Sequence, residues 1–200
     1  TLGVQSYTGN VHYTDRDQEL LQFVSDQVAS AIIRTQLHER LIHAAEHDSL
    51  TSLANRSLFQ DRLQNVIARA GRAPGRFALL YLDLDKFKDI NDLYGHNAGD
   101  KILVEVASRL KGCIRESDTA ARIGGDEFVL LLTNIAAQDD AKNVAAKIRL
   151  VLNKPFKLGD RELLIAPSIG IAVYPEDGEN AEALLHFADE AMYRSKRTAV

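Results

Sequence analysis

Arg122-Ile123-Gly124-Gly125-Asp126-Glu127-Phe128 places two glycines and two carboxylates between largely apolar stretches at 120–123 and 128–132. Apolar stretches of strand length separated by Gly-Gly predict a β-hairpin, because glycine takes the positive φ of a tight turn at little steric cost. The turn presents Asp126 and Glu127 at its tip, where hard cations and phosphates can be met. An ordinary hairpin with solvated acids produces the same string, so a motif this short is decided by the rest of the chain.

Working outward, residues 77–82 form a continuous apolar run closed by Asp83-Leu84-Asp85, which reads as a buried strand. Helical patterns cover 57–70, 99–114, 137–152 and 181–197, and further strand patterns cover 163–165 and 168–174. Gly71-Arg72-Ala73-Pro74-Gly75 reads as a loop. Strands alternating with helices around one antiparallel hairpin predict an α+β fold. It is an α/β sandwich built on a palm-like βαββαβ sheet of the split βαβ kind.

Before this lies Gly3-Val4-Gln5-Ser6-Tyr7, a short strand pattern, and then a helix over about 16–46, capped by Asp15 or Asp17. Leu21, Val24, Val28, Ala31, Thr35, His38, Ile42 and Ala45 follow alternating steps of three and four. That is a heptad seam and predicts a parallel coiled coil. Ile33, Leu37 and Leu41 offer a competing stripe, and a helix packed on its own domain is the alternative.

The chain has 200 residues, 46% hydrophobic and 26% charged, which is globular composition. A formal net charge of −4 argues against a nucleic-acid partner without excluding a nucleotide substrate. Cys113 is the sole cysteine, so a disulfide framework or cysteine zinc site within the chain is excluded. No run reaches membrane-spanning length and no signal peptide opens the sequence, so the expectation is a cytoplasmic segment with no membrane contact of its own.

Asp83 closes a strand, and ligands of open α/β sheets gather at strand ends. With the first strand beside the hairpin, Asp83 approaches Asp126 and Glu127 as a carboxylate cluster with no evident internal cation. Such a cluster needs a metal or a proton, and oxygen-only ligands favour Mg²⁺ or Mn²⁺. The alternative is that Asp83 or Asp85 caps the next helix. Further on, Lys88 can neutralise phosphate, while Asn91 and Asp100 suit the donors of a guanine edge. Each also suits a cap or turn in a glycine-rich loop. Neither a P-loop nor a Rossmann cradle is present. His38 and His43 are five apart and point to different helix faces; His43 and His47 are four apart but have no evident third ligand. Arg115 and Asp118 are spaced either for a surface salt bridge or for framing a guanine base.

From about residue 47 to 196 these features together resemble the GGDEF domain of diguanylate cyclases, which join two GTP molecules into cyclic di-GMP. The resemblance rests on Asp48-Ser49-Leu50-Thr51 with Asn55-Arg56, Asp83-Leu84-Asp85-Lys86-Phe87-Lys88, and Asn91-Asp92 with Tyr94-Gly95-His96 and Gly99-Asp100. It continues through the glycine hairpin, Ser168-Ile169-Gly170-Ile171-Ala172, and Ala188-Asp189 with Ala191-Met192-Tyr193. It implies that Asp83, the Leu84 carbonyl and Asp126 hold Mg²⁺ (or Mn²⁺). Glu127 is implied as a further metal ligand or as an aid in activating the 3′-hydroxyl. Asn91 and Asp100 would read guanine, with Lys88, His96 and Lys196 completing the GTP site. Arg115 and Asp118 match the family's inhibitory site for cyclic di-GMP.

Each domain of this family binds one GTP, so a homodimer through the N-terminal helix is implied. A catalytically weak module that senses GTP or cyclic di-GMP is the alternative. Ser52 and Ala54 stand where the family usually has Gly and Pro, and Val200 where a phosphate-binding Arg is usual. Residues 1–35 are similar to the end of a GAF sensor domain, which makes 36–47 a coiled-coil linker and 48–200 the cyclase domain.

Overall fold

The computed structural model describes residues 14–71 and 75–198. The strand expected at Gly3-Val4-Gln5-Ser6-Tyr7, and Val200, lie outside the described residues. The chain divides into two compact units, Thr1–Ala45 and Glu46–Val200.

Helix α1 spans Asp15–Glu46. Its cap differs from expectation. Thr14 Oγ1 accepts from the Asp17 amide at 3.3 Å, and Asp17 Oδ2 accepts from the Thr14 amide at 2.9 Å. Thr14 is therefore the N-cap and Asp17 its reciprocal partner three residues on, a capping box closed by Asp. Both apolar stripes of α1 are exposed in the single chain: Ile33, Leu37 and Leu41 by more than half, and the seam residues Val24, Val28 and Ile42 by 43–45%.

The second unit runs α2 (Arg56–Ala70), β1 (Phe77–Leu84), α3 (Phe87–Tyr94), α4 (His96–Lys111), β2 (Thr119–Gly124) and β3 (Glu127–Leu132). It continues with α5 (Gln138–Leu152), β4 (Phe156–Leu158), β5 (Arg161–Leu163), β6 (Pro167–Tyr174) and α6 (Ala181–Thr198). The main sheet has the order β2-β3-β1-β6 with every neighbour antiparallel, while β4 and β5 pair separately. This is the expected βαββαβ sheet.

Strand β1 is central and buried on both faces, which is why its sequence reads as an unbroken apolar run rather than an alternation. Ala78, Leu80, Leu82 and Leu84 pack into a core with residues of α3, α4 and α5; Phe77 and Leu79 pack into a second core with α2 and α6. The two-residue period puts Tyr81 and Asp83 on the second face. There, a Cβ on Gly170 would overlap the Ala188 carbonyl and the Met192 amide. Only glycine lets α6 lie that close to β6, and Lys196 follows Met192 by one helical turn.

Residues 87–94 form α3 where a loop was expected. Phe87 and Ile90, three apart and buried, anchor it to the core. Neither Asp83 nor Asp85 caps it: the N-cap is Lys86, at φ 58, with no side-chain capping bond. Helix α4 accordingly begins at His96, before the expected residue 99. Strand β4, absent from the sequence reading, is three residues long and too short for periodicity to reveal. It is fastened by Arg109, which donates to the carbonyls of Val151, Lys154 and Pro155 and lies 3.8 Å over the Phe156 ring.

The family's Gly position before α2 has a physical reading. Ser52 sits at φ 54, the left-handed region that disfavours a side chain. Ser52→Gly is expected to raise stability by about 0.5–1 kcal/mol, read as a higher urea midpoint. A lower midpoint would show that the serine earns its place by other contacts.

Candidate functional site

The hairpin is tighter than Gly-Gly suggested. Gly124 pairs with Glu127, so the turn is Gly125-Asp126 alone. Gly125 has φ 48, and neither Gly124 nor Asp126 is among the positive-φ residues. A positive φ at the first central position only is the sign pattern of a II′ turn, which requires glycine once. Gly124 instead ends β2, past a register shift between Arg122 and Gly124.

Arg122 ties this turn to the segment ahead of α2. Its Nε and Nη2 donate to the Gly125 carbonyl at 2.9 and 2.8 Å, and its Nη1 donates to both oxygens of Asp48 at 3.2 Å. Asp48 also accepts from the Thr51 amide at 2.8 Å and the Thr51 hydroxyl at 2.6 Å. Burial alone pushes the Asp48 carboxyl up, but the Thr51 and Arg122 bonds outweigh it and hold it below its ordinary value. The sequence displayed Asp48 and Arg122 inside separate motifs; 74 residues apart, nothing in their spacing joins them.

Asp83 lies opposite Glu127 on β3 and opposite Ser168 on β6. Burial, and then the Asp83 charge, raise the Asp126 carboxyl above its ordinary value. The two carboxylates therefore oppose each other across the end of the sheet. The expectation of no internal cation is corrected: Lys196 Nζ donates to Asp83 Oδ1 at 2.6 Å, and that bond raises the lysine. Asp85 is occupied differently, accepting from Ser168 Oγ at 2.8 Å. Glu127 lies beside the Tyr81 hydroxyl. Burial, then the Glu127 and Asp189 charges, push that phenol up to about 12. Tyr81 was not singled out in the sequence, where it reads only as part of a strand.

Among the described residues no three His, Cys, Asp or Glu side chains gather as a metal-binding group, so His43 and His47 acquire no third ligand. The same holds for the three hairpin-end carboxylates: Asp83 is bonded to Lys196, and Glu127 lies beside Tyr81. Two facing carboxylates nevertheless fit Mg²⁺, which commonly takes one or two from the protein and completes its octahedron with water and substrate phosphates. The raised Asp126 is the electrostatic mark of a place where more positive charge is stabilising.

Lys88 is exposed on α3 and His96 on the first turn of α4. Asn91 is half-buried near the end of α3, and Asp100 is exposed early in α4. Gly95, at φ 82, turns the chain between those helices and brings Asn91 and Asp100 to one corner. Arg115 and Asp118 lie at the other end of β2 from the hairpin turn, lining a cleft of about 290 Å³ with Lys111 and Arg62. They are not joined as a side-chain ion pair. Asp118 instead accepts from the Arg115 backbone amide at 3.1 Å and from the Thr133 amide at 3.0 Å.

The raised Asp126 carries a consequence for stability. A carboxyl whose folded pKa lies above its unfolded value costs stability as pH rises through the folded value. With divalent metal chelated, Asp126→Asn is expected to melt above the parent at neutral pH, and the gain should vanish below pH 3.8, the ordinary value. A gain that persists in acid would assign the effect to packing rather than charge.

Residues 45–199 match the family model "Diguanylate cyclase, GGDEF domain". The chain is 47% identical over 160 residues to the diguanylate cyclase TpbB of Pseudomonas aeruginosa, covering 80% of this chain and 37% of that protein. It is 44% identical over 173 residues to the bifunctional diguanylate cyclase/cyclic di-GMP phosphodiesterase MucR of the same species, covering 85% and 25%. The chain thus spans well under half the length of these relatives. Among solved structures, the GGDEF domain of TpbB from P. aeruginosa aligns with TM-score 0.72 at 45% identity, covering 74% of this chain and 92% of that one. The coiled coil and GGDEF domain of DgcB from Caulobacter crescentus, solved with c-di-GMP, aligns with TM-score 0.79 at 29% identity, covering 90% and 95%. With its hairpin, sheet order and family match in agreement, this chain belongs to the GGDEF family of diguanylate cyclase domains.

Proposed function

We propose that the protein is an active diguanylate cyclase that condenses two GTP into cyclic di-GMP and two pyrophosphates. The observation that carries this reading is the opposition of Asp83 and Asp126 at the sheet end, beside a corner that offers Asn91 and Asp100. Asp83, Asp126 and the Leu84 carbonyl would hold Mg²⁺ or Mn²⁺, which when bound supplies Lewis-acid stabilisation of charge on the phosphates. Asn91 and Asp100 hold the guanine edge, and Lys88 and His96 flank the nucleotide. Lys196 adds positive charge for the triphosphate from its position on Asp83. Glu127, beside the Tyr81 phenol, takes the proton as the 3′-oxygen of one GTP forms its bond to the α-phosphorus of the other. The bond from that phosphorus to the bridging oxygen breaks, and pyrophosphate leaves; a second such attack with the two nucleotides' roles exchanged closes the ring and releases a second pyrophosphate.

One domain offers one such site, so the reaction joins two copies, and the exposed heptad seam of α1 is the surface suited to pair them. The alignment with a coiled coil plus GGDEF domain supports this use of α1. Residues 1–35 would then be the end of a GAF-like sensor and 36–47 the linker. Arg115 and Asp118 form the inhibitory site, where the Arg115 guanidinium meets the Hoogsteen edge of a product guanine. A module that binds nucleotide without turnover is the second reading, and a relative named a cyclic di-GMP phosphodiesterase, PdeR of Escherichia coli, at 39% identity, favours keeping it in the test.

Incubation with GTP and Mg²⁺ at concentrations where the protein is dimeric should yield cyclic di-GMP; GTP binding without product would establish the second reading instead. Asp126→Ala should abolish turnover, and surviving activity would discredit the metal assignment. Arg115→Ala should leave initial rates intact while relieving inhibition by added cyclic di-GMP, measured as a higher half-inhibitory concentration. Unchanged inhibition would return Arg115 and Asp118 to the role of a braced loop.

A further inference from the structure

Gly99 lies in the first turns of α4, where helix propensity favours alanine over glycine. It is buried, and a Cβ built there would overlap Asn91 Oδ1 while coming within 3.0 Å of Phe87 Cζ. The neighbours differ in their capacity to yield. Phe87 is a core ring, 6% exposed. The Asn91 backbone is fixed, its carbonyl accepting from the Gly95 amide at 2.9 Å. Only the Asn91 amide, the free-swinging end of a side chain, can move. None of the hydrogen bonds among the described residues uses that amide, so its donor and acceptor are available to a ligand at the α3–α4 corner.

We infer that Gly99 is a specificity-determining position, whose missing side chain makes the seat in which the Asn91 amide is held for the guanine 2-amino group, next to Asp100. The residue acts through Asn91 and touches no substrate itself; it is a positioning residue. The inference rests on the guanine reading proposed above. A methyl group at 99 leaves the helices packed and swings the amide away, so the fold survives and base selectivity does not.

The test is titration of GDP and of inosine diphosphate, which lacks only the 2-amino group and, like GDP, cannot release pyrophosphate. The parent protein should prefer GDP by about tenfold, the size of one hydrogen bond. Gly99→Ala should reduce the preference to near unity, with inosine diphosphate binding unchanged. Asn91→Ala should do the same, and the double variant should lose no more than Asn91→Ala alone. A Gly99→Ala protein that keeps the preference, or losses that add in the double variant, would overturn the inference while leaving the guanine reading standing. A parent that does not discriminate would overturn both. If Gly99→Ala melts much lower than the parent, the double variant should recover the melting temperature, because the obstructing atom is gone; failure to recover would assign the contact to Phe87 and overturn the inference as well.

Discussion

One guanidinium holds the working end of this domain together. Arg122 bonds the carbonyl of the hairpin turn with two nitrogens and the Asp48 carboxylate with a third. The pair is largely buried, with side chains 14% and 22% exposed. Removing either partner would leave an uncompensated charge in a low-dielectric place, a far larger penalty than the loss of a surface salt bridge. A two-residue turn has little rigidity of its own; the Arg122 fork and the Thr51 bonds to Asp48 give it a fixed address. Asp126 inherits its position from that address.

The electrostatics at the sheet end follow from strand order. Placing β1 between β3 and β6 brings Asp83 against both the hairpin and the strand that carries Ser168. One carboxylate from a strand and one from the hairpin turn then face each other, with Lys196 and Arg122 as countercharges. That lysine comes from α6, the last helix. Its reach depends on Gly170, the position where β6 admits the backbone of α6 without an intervening side chain. A glycine remote from the chemistry thus sets where a cation can stand.

What the sequence disclosed divides along physical lines. The hairpin, the buried central strand and helices α2, α4, α5 and α6 were legible because each carries enough residues for a period to show. Helix α3 was hidden by its eight residues and by its flanking lysines and glycine, although Phe87, Ile90 and Tyr94 mark one face in retrospect. The two hairpin glycines looked equivalent and are not: only Gly125 takes the conformation that demands glycine. The sequence offered candidate residues as types, but it could not offer their partners. Lys196 and Asp83 are 113 residues apart, and no local pattern reports a contact of that separation. The resemblance to a family supplied roles where spacing supplied none, and the strand expected within the GAF-like stretch at the start falls on residues outside those described.

Strand β2 is where these threads meet. It is an edge strand of the sheet, and edges left open invite pairing with other chains. Here Ala54 covers it, donating to the Ala120 carbonyl at 3.2 Å and accepting from the Arg122 amide at 2.9 Å. The same segment, through Asp48, grips Arg122 from the side. At one end of β2 stand Arg115 and Asp118, with Asp118 braced on Thr133; at the other stands the turn that bears Asp126. The six residues of β2 thus link the two candidate sites, with the register shift between Arg122 and Gly124 lying at the turn end. The segment from Asp48 to Ala54 is therefore more than a lead-in to α2. It touches both the strand that separates the two candidate sites and the arginine that fixes one of them.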